Sequence, residues 1–293
     1  MLLPTPVIAA PAATFERLLA AVEAHLFEST AALKQPVHAD VGKAIAYHLH
    51  SGGQRIRARL AIHAGLSLQL AGDDIIALAS AVELLHNASL IHDDLQDGDT
   101  LRHGAATVWA AFGANTAICA GDLMLAAAYG ALGAFSAAAR LPALLSLTVA
   151  RTARAIHGQC IDLSGPTGSD IASYEAMAMA KSGALLSLPT ELALLAAGRV
   201  DLLGSARRAA ESFAVGYQIV DDIEDIGIDA NPLKKTASFN IVLLQAGEQA
   251  AARAAAVRLA HLHFERAISA AGELPDGSGD LLIALAQRLA RRL

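Results

Sequence analysis

The stretch "LIHDDLQDGDTLRHG", residues 90–104, carries four aspartates, Asp93, Asp94, Asp97 and Asp99, directly after the apolar run "ALASAVELLHNAS", residues 77–89. Carboxylates at the end of an apolar helix repel one another and are costly to desolvate, so their presence asks what they hold. The longer run "DDIIALASAVELLHNASLIHDDL", residues 73–95, spaces its apolar residues by three and four and opens on two acids. That pattern predicts one long helix, with the acids at its N-terminus. Asp93 and Asp97 then lie one turn apart on the same face. Two carboxylates so placed suit a hard cation such as Mg²⁺, which takes oxygen ligands and keeps part of its water. The plain alternative is a solvated acidic helix end.

A second copy weakens that alternative. "YQIVDDIEDIGID", residues 217–229, carries Asp221, Asp222 and Asp225 at the same DDxxD spacing, again closing an apolar helical run, "SFAVGYQIV". With the two helices facing each other, the acids would form a metal-binding rim on an apolar cavity. Such a rim suits a ligand with a diphosphate head and a greasy tail, bridged to the carboxylates by Mg²⁺. Cations accompany the same stretches. Arg55, Arg57 and Arg59 follow a glycine pair in "SGGQRIRARL", Arg102 follows the first acids, Lys181 opens "KSGALLSL", and Lys234 and Lys235 follow the second acids. Any one of them alone reads equally well as a solvated surface charge.

The rest of the chain frames these motifs. It has 293 residues, 54% of them hydrophobic, 4% aromatic and 17% charged. Alanine and leucine dominate and β-branched runs are rare, which favours helix over strand. Helical periodicity runs almost end to end, from "TFERLLAAVEAHLFEST" onward, broken at "HSGGQ", "DGDTLRHG", "SGPTGSD" and "LPDGSGD". No strand–turn–strand stretch and no tandem repeat stands out. The expectation is an all-α fold, a single domain over residues 1–293, with residues 1–13 a loose leader. A net charge of −6 argues against a nucleic-acid partner. The stretch "LMLAAAYGALGAFSAAA", between Asp122 and Arg140, is short and Ala/Gly-rich for a membrane span and reads as a buried core helix. Cys119 and Cys160 read as two buried thiols in a reducing, cytoplasmic compartment. Trp109 and Phe112 read as core, and "RLARRL" at the end of the chain as a frayed, solvated terminus.

Taken as a set, the motifs resemble those of the trans-isoprenyl diphosphate synthases, the polyprenyl synthetase family, over about Gly52 to Asn240. "GGQRIR" resembles the family's GGKRxR, "LIHDDLQDGDTLRHG" its LxHDDxxDxxxxRRG, and "HGQCIDL" its GQxxDL. "FGANTAICAGDLMLAAAY" is similar to the segment that follows the first aspartates, "KSGALLS" to the KT element, and "YQIVDDIEDIGID" to FQxxDDxxDxxGD. The resemblance implies an isoprenoid-synthase-type helical bundle around a deep apolar cavity, as a homodimer. It implies three Mg²⁺ ions per active site, which draw diphosphate from an allylic prenyl diphosphate so that isopentenyl diphosphate attacks the cation. Asp93, Asp97 and Asp221 would be the foremost metal ligands, with Asp94, Asp222 and Asp225 supporting. Arg102, Lys181 and Lys235 would bind the allylic diphosphate, Arg57 and His86 would help hold isopentenyl diphosphate, and Gln218 would lie near the reacting ends.

The departures gather on one subsite. Gln54 stands where the family has lysine in GGKR, and His103 where it has the second arginine of RRG; both positions grip isopentenyl diphosphate. Charge-assisted hydrogen bonds are about twice as strong as neutral ones, so this loss amounts to roughly a few kcal/mol of binding. Three readings follow. The chain is a prenyltransferase with a retuned acceptor site; or a class I terpene cyclase or lyase that ionises without condensing; or a non-catalytic partner subunit, against which two complete DDxxD motifs argue. Further on, "PLKKTASFN" blurs the family's late pattern and puts Asn240 where an acid is usual. Product length points to Ala88 and Ser89, about one turn below Asp93, with Leu85 beneath them. Small residues there leave room for a C20 product, with C15 to C25 open, or else simply serve helix packing.

Overall fold

The computed structural model describes residues 12–31, 39–165, 170–226, 240–244 and 249–293. The fold is all-α, and the described residues divide into two compact units. The first unit comprises residues 1–146, 192–200 and 275–278, and the second residues 147–191, 201–274 and 279–293.

The first unit is organised on one long helix. Its elements are α1 (Ala12–Ala31), α2 (Ala39–His50), α3 (Ile56–Ser67), α4 (Gly72–Asp97), α5 (Val108–Phe112) and α6 (Ala114–Leu132). Helix α4 packs on α1, α3, α5 and α6, and its residues Ile75, Leu78, Val82, Leu84, Leu85 and Ile91 are buried. A helix surrounded in this way is apolar on most of its circumference. By length and composition α4 would also pass for a membrane span, and 72% of that span is buried inside the protein. Its opening acid Asp74 accepts hydrogen bonds from the backbone N–H and hydroxyl of Ser136, at 2.7 and 2.8 Å. Asp73 and Asp74 lie in the first turn, as the periodicity predicts.

The second unit is built on α10 (Leu203–Glu224), which packs along α12 (Gln249–Gly272) and also meets α8 (Ile171–Ala178), α11 (Ile241–Leu244) and α13 (Asp280–Ala290). Gly216 lets the Phe264 ring sit against α10, since a Cβ there would meet the ring at 2.7 Å. Helices α7 (Leu141–Leu163) and α9 (Ala184–Ala196) contribute residues to each unit. Between α8 and α9, residues Met179–Gly183 form a π-helical turn.

Several sequence expectations are corrected. A two-stranded hairpin follows α4, with β1 (Leu101–Arg102) antiparallel to β2 (Ala105–Ala106). Its two-residue turn is His103–Gly104, with φ of 50° and 81°. Two left-handed residues match the twist of a tight hairpin, but strands of two residues are too short for alternation to register. The stretch between Asp122 and Arg140 is not one buried helix. α6 ends at Leu132, and Ala126 and Gly130 face solvent while Met124, Ala128 and Leu132 are buried. Cys119 and Cys160 are exposed rather than buried. Trp109 and Phe112 are half-buried. Ala12 and Ala13, read as leader, open α1, and residues 1–11 lie outside the described residues. The "RLARRL" end is helical to Ala290, and Arg292 bonds Glu224 at 2.7 Å.

Candidate functional site

The first aspartate motif sits on the last turn of α4. Asp93 and Asp97 are half-buried and Asp94 is fully buried. Asp94 Oδ1 accepts from Arg102 Nε at 2.8 Å and Nη2 at 2.7 Å. Asp93 Oδ2 lies 3.8 Å from the same guanidinium. Burial pushes the Asp94 carboxyl above its ordinary value, and the hydrogen bond to Arg102 works against that shift. Arg102, expected to bind diphosphate, is thus engaged by the second acid of the motif.

The chain after α4 is pinned backbone to backbone. The N–H groups of Gly98 and Asp99 return to Asp94 O, ending the helix. The carbonyl of Asp99 accepts from Thr107 Oγ1 and Trp109 Nε1, each at 2.7 Å. This fixes the base of the hairpin that carries Arg102, and Tyr47 fixes its far strand by donating to Ala106 O at 2.8 Å. His103, at the exposed tip, occupies the left-handed region that a non-glycine residue adopts at a cost. Beside the motif, the His92 ring packs against Gly121 of α6, where a Cβ would meet Nε2 at 2.2 Å. Its ring lies 3.6 Å from Asp122.

The "GGQRIR" turn enters α3. Gln54 is exposed, Arg57 half-buried and Arg55 buried. Arg55 has φ 51° and turns its guanidinium inward, donating to Leu49 O at 3.0 Å. His86, on α4, is held well below its ordinary pKa by burial and then by the Arg57 guanidinium, so it is neutral near pH 7. Ala88 and Leu85 are buried on α4, and Ser89 bonds back to His86 O at 2.7 Å.

The second motif, at the end of α10, shows the same division. Asp222 is buried while Asp221 is half-buried and Asp225 exposed. Asp222 Oδ2 accepts from the Tyr174 hydroxyl and from the Ile241 backbone N–H, both at 2.8 Å, and Oδ1 accepts from Gln218 Nε2 at 3.0 Å. Gln218, expected at the reacting ends, therefore bonds the buried acid. Asn240 donates to the Asp222 carbonyl at 2.8 Å and accepts from Val242 N–H at 2.9 Å, capping α11. A carboxylate at that buried position could not donate to the carbonyl, which accounts for the amide. The Asp221 carboxyl is pushed up to about 7, first by burial and then by Asp225, Asp222 and Glu224. Tyr217 donates a hydrogen bond that opposes the rise.

Lys181 lies in the π-helical turn, with Nζ 2.5 Å from Asp162 Oδ2. Asp162 belongs to "HGQCIDL", and the glycine of that element explains the proximity. A Cβ on Gly158 would lie 2.1 Å from Lys181 N, so only glycine lets α7 approach the turn. π-helical turns recur where a helix is locally re-aimed at a functional position. Lys234 and Lys235 lie outside the described residues. Among the described residues no cluster of three or more His, Cys, Asp or Glu side chains is assembled around a common point. Tyr174, Glu83 and Asn87 join these networks without any signal in the sequence reading, being single polar residues inside apolar helices. Asp162 was visible only as part of a motif.

Comparison with known proteins identifies what shares this arrangement. Residues 38–251 match the polyprenyl synthetase family model. Geranylgeranyl pyrophosphate synthase 7, chloroplastic, of Arabidopsis thaliana is 33% identical over 230 residues, which are 73% of this chain and 65% of the plant protein. The chain thus spans slightly less than two thirds of the length of that curated relative. Among solved structures, a geranylgeranyl pyrophosphate synthetase from the archaeon Geoglobus acetivorans superposes with a TM-score of 0.80 at 24% identity, over 94% of this chain and 99% of that one. A polyprenyl synthase from Caulobacter crescentus, complexed with calcium and isoprenyl diphosphate, superposes with a TM-score of 0.78 at 21% identity, over 95% and 96% of the two chains. These likenesses show the fold, and the match across residues 38–251, which contains both aspartate motifs, shows that the chain belongs to the polyprenyl synthetase family.

Proposed function

We propose that this chain is a trans-prenyltransferase that condenses an allylic prenyl diphosphate with isopentenyl diphosphate, with a C20 product. The observation that carries the reading is the shared division of labour in the two motifs. In each, the middle acid is buried and bonded inside the protein, while its neighbours are half-buried or exposed. The relatives named above support it, and the cyclase or lyase alternative finds no support among them.

Mg²⁺ fits this donor set. The less buried acids are oxygen donors only, and the Asp221 carboxyl is raised by burial and then by the neighbouring Asp225, Asp222 and Glu224 charges, which a bound cation would offset. No motif supplies a closed cage by itself among the described residues, which agrees with a metal that takes one or two carboxylates and completes its shell with phosphate oxygens and water. Asp93, Asp97 and Asp221 would hold it, and three ions per site follow the family pattern. Bound there, Mg²⁺ would offset the charge on the leaving diphosphate.

The chain's own cations do the remaining binding. Lys181, held by Asp162, and Arg102, held by Asp94, take the allylic diphosphate, with Lys235 from outside the described residues. Arg57 and Gln54 at the mouth of α3, with the neutral His86, take isopentenyl diphosphate. Ala88, Ser89 and Leu85 leave room for the prenyl chain beneath Asp93. A homodimer is supported by α7, where Val149, Ala153, Ile156, Cys160 and Leu163 form an exposed seam at alternating spacings of four and three. That repeat suits a second helix of the same kind. Two exposed thiols accord with a reducing, cytoplasmic setting.

The test is incubation with Mg²⁺ and each allylic diphosphate from C5 to C20, with and without isopentenyl diphosphate, with products sized by mass spectrometry. Elongation only in the presence of isopentenyl diphosphate is expected. Diphosphate release with a hydrocarbon or alcohol and no elongation would overturn the proposal.

A further inference from the structure

Beneath the "GGQRIR" turn lies a buried polar chain that the reaction itself does not use. Glu83, in the middle of α4, is 2% exposed. An unpaired carboxylate there would be prohibitively costly, so its partners define its purpose. Glu83 Oε2 accepts from the Ala58 N–H at 3.1 Å. Ala58 is the third residue of α3, so Glu83 satisfies one of the open N–H groups of a helix it does not belong to. Glu83 Oε1 lies 3.7 Å from Arg55 Nη1. Arg55 immediately precedes α3, and its side chain donates back to Leu49 O at 3.0 Å and Gly52 O at 3.4 Å. It thereby ties the end of α2, the glycine turn and the start of α3 to one carboxylate on α4.

The same acid is held from its other side. Asn87 Nδ2 donates to Glu83 O at 2.7 Å and to Oε1 at 3.4 Å. With both amide hydrogens so directed, Asn87 Oδ1 faces His48 Nε2 at 3.1 Å, and the imidazole carries its proton on Nε2. Arg55 also adopts a left-handed backbone at φ 51°, which an arginine keeps only where its surroundings over-determine it. Its side chain is 8% exposed, so it offers no face to a ligand at the mouth.

We propose that Glu83 and Arg55 are positioning residues for the acceptor half of the site: they fix the turn that presents Gln54 and Arg57, and so set the affinity for isopentenyl diphosphate without touching it. Two features favour this over simple packing. The bonds converge on the three segments that flank Gln54, and the one lysine the family would place there is missing. A turn with less charge depends more on being held in place, because Gln54, unlike a lysine, has no Coulombic reach to compensate for misplacement. The inference rests on the prenyltransferase reading above.

The experiment is steady-state kinetics on the full chain with Mg²⁺, comparing wild type with Glu83→Gln and Arg55→Lys. KM is measured separately for isopentenyl diphosphate and for farnesyl diphosphate, alongside a thermal melt of each protein. Glu83→Gln keeps an acceptor for Ala58 N–H and loses the ion pair. Arg55→Lys keeps the charge and loses the fork that reaches Leu49 O and Gly52 O. Each is expected to raise KM for isopentenyl diphosphate by about tenfold or more, with KM for farnesyl diphosphate within about twofold of wild type. Equal changes in both constants, or a lowered melting temperature with neither KM moved, would overturn the positioning role. Where Glu83→Gln melts below the assay temperature, Arg55→Lys decides. A wild-type chain that never elongates would instead remove the prenyltransferase reading itself, so the two failures are distinct.

Discussion

Tyr174 donates its phenolic hydrogen to Asp222 Oδ2 at 2.8 Å, both groups being buried. Burial first, then the neighbouring Asp222 charge, holds the phenol well above its ordinary pKa, so it stays a donor across the working range. Gln218 and the Ile241 N–H complete the shell of the carboxylate. Asp222→Asn would turn an amide N–H toward one of these donors, and about 2–3 kcal/mol of stability should be lost, with roughly 1–2 kcal/mol for Tyr174→Phe. Urea denaturation checks both, and a double variant losing less than the sum confirms that the two losses share one bond.

Neighbouring acids of the first motif should separate in the same test. Asp93 and Asp97 are half-buried, and Asp93 repels the Asp94 carboxylate, so Asp93→Asn and Asp97→Asn should leave stability within about 0.5 kcal/mol. Their Mg²⁺-dependent turnover should fall by about a hundredfold or more. Asp94→Asn breaks a buried pair with Arg102 and should cost on the order of 2 kcal/mol. Calorimetry beside kinetics reads the contrast. A stable Asp94→Asn protein would count against the assignment.

Two glycines at close approaches should behave unequally. A Cβ on Gly158 meets the backbone N of Lys181 at 2.1 Å, and backbone cannot step aside. The atoms nearest a Cβ on Gly121 belong to the His92 ring, a side chain that can rotate. Gly158→Ala should therefore cost about 3 kcal/mol and Gly121→Ala roughly 1 kcal/mol. Only the former should also raise KM for the allylic substrate, through Lys181. Thermal melts and kinetics on the two variants test this.

Acid should loosen the fold through His48. Its imidazole is buried against Asn87, and burial lowers its pKa from 6.5 to about 4. The unfolded chain then takes up a proton that the folded chain refuses. The stabilisation is fully present above pH 6.5 and is lost as pH falls from there toward about 4, by on the order of 3 kcal/mol. His86, also lowered, adds in the same direction. Urea midpoints measured between pH 4 and 7 should show the slope, and His48→Gln, which keeps the donor to Asn87, should flatten it.

Much of this architecture was legible in the chain itself. Helices α4 and α10 follow from apolar residues at spacings of three and four, and the aspartates fall at their ends because the pattern stops there. What periodicity cannot carry is direction and register. Nothing in "GGQRIR" distinguishes Arg55, turned inward, from Arg57 two residues on, since that depends on Glu83 across another helix. The π-helical turn at Lys181 is set by a glycine on α7, far away in sequence. Asn240 looked like the loss of an acid and is a cap with a donor to spare. The cysteines are apolar by type and sit on exposed helix faces, which composition does not record.

The inward acid of each DDxxD motif gives the two aspartate pairs an unusual genetics. Loss of Asp94 or Asp222 lowers the amount of folded protein in a cell, so such alleles should be temperature-sensitive and recover with cooling or overexpression. Loss of Asp93 or Asp221 leaves abundance intact and silences the chain at every temperature. Adjacent letters of one motif would then give different phenotypes, one temperature-sensitive and one null at every temperature.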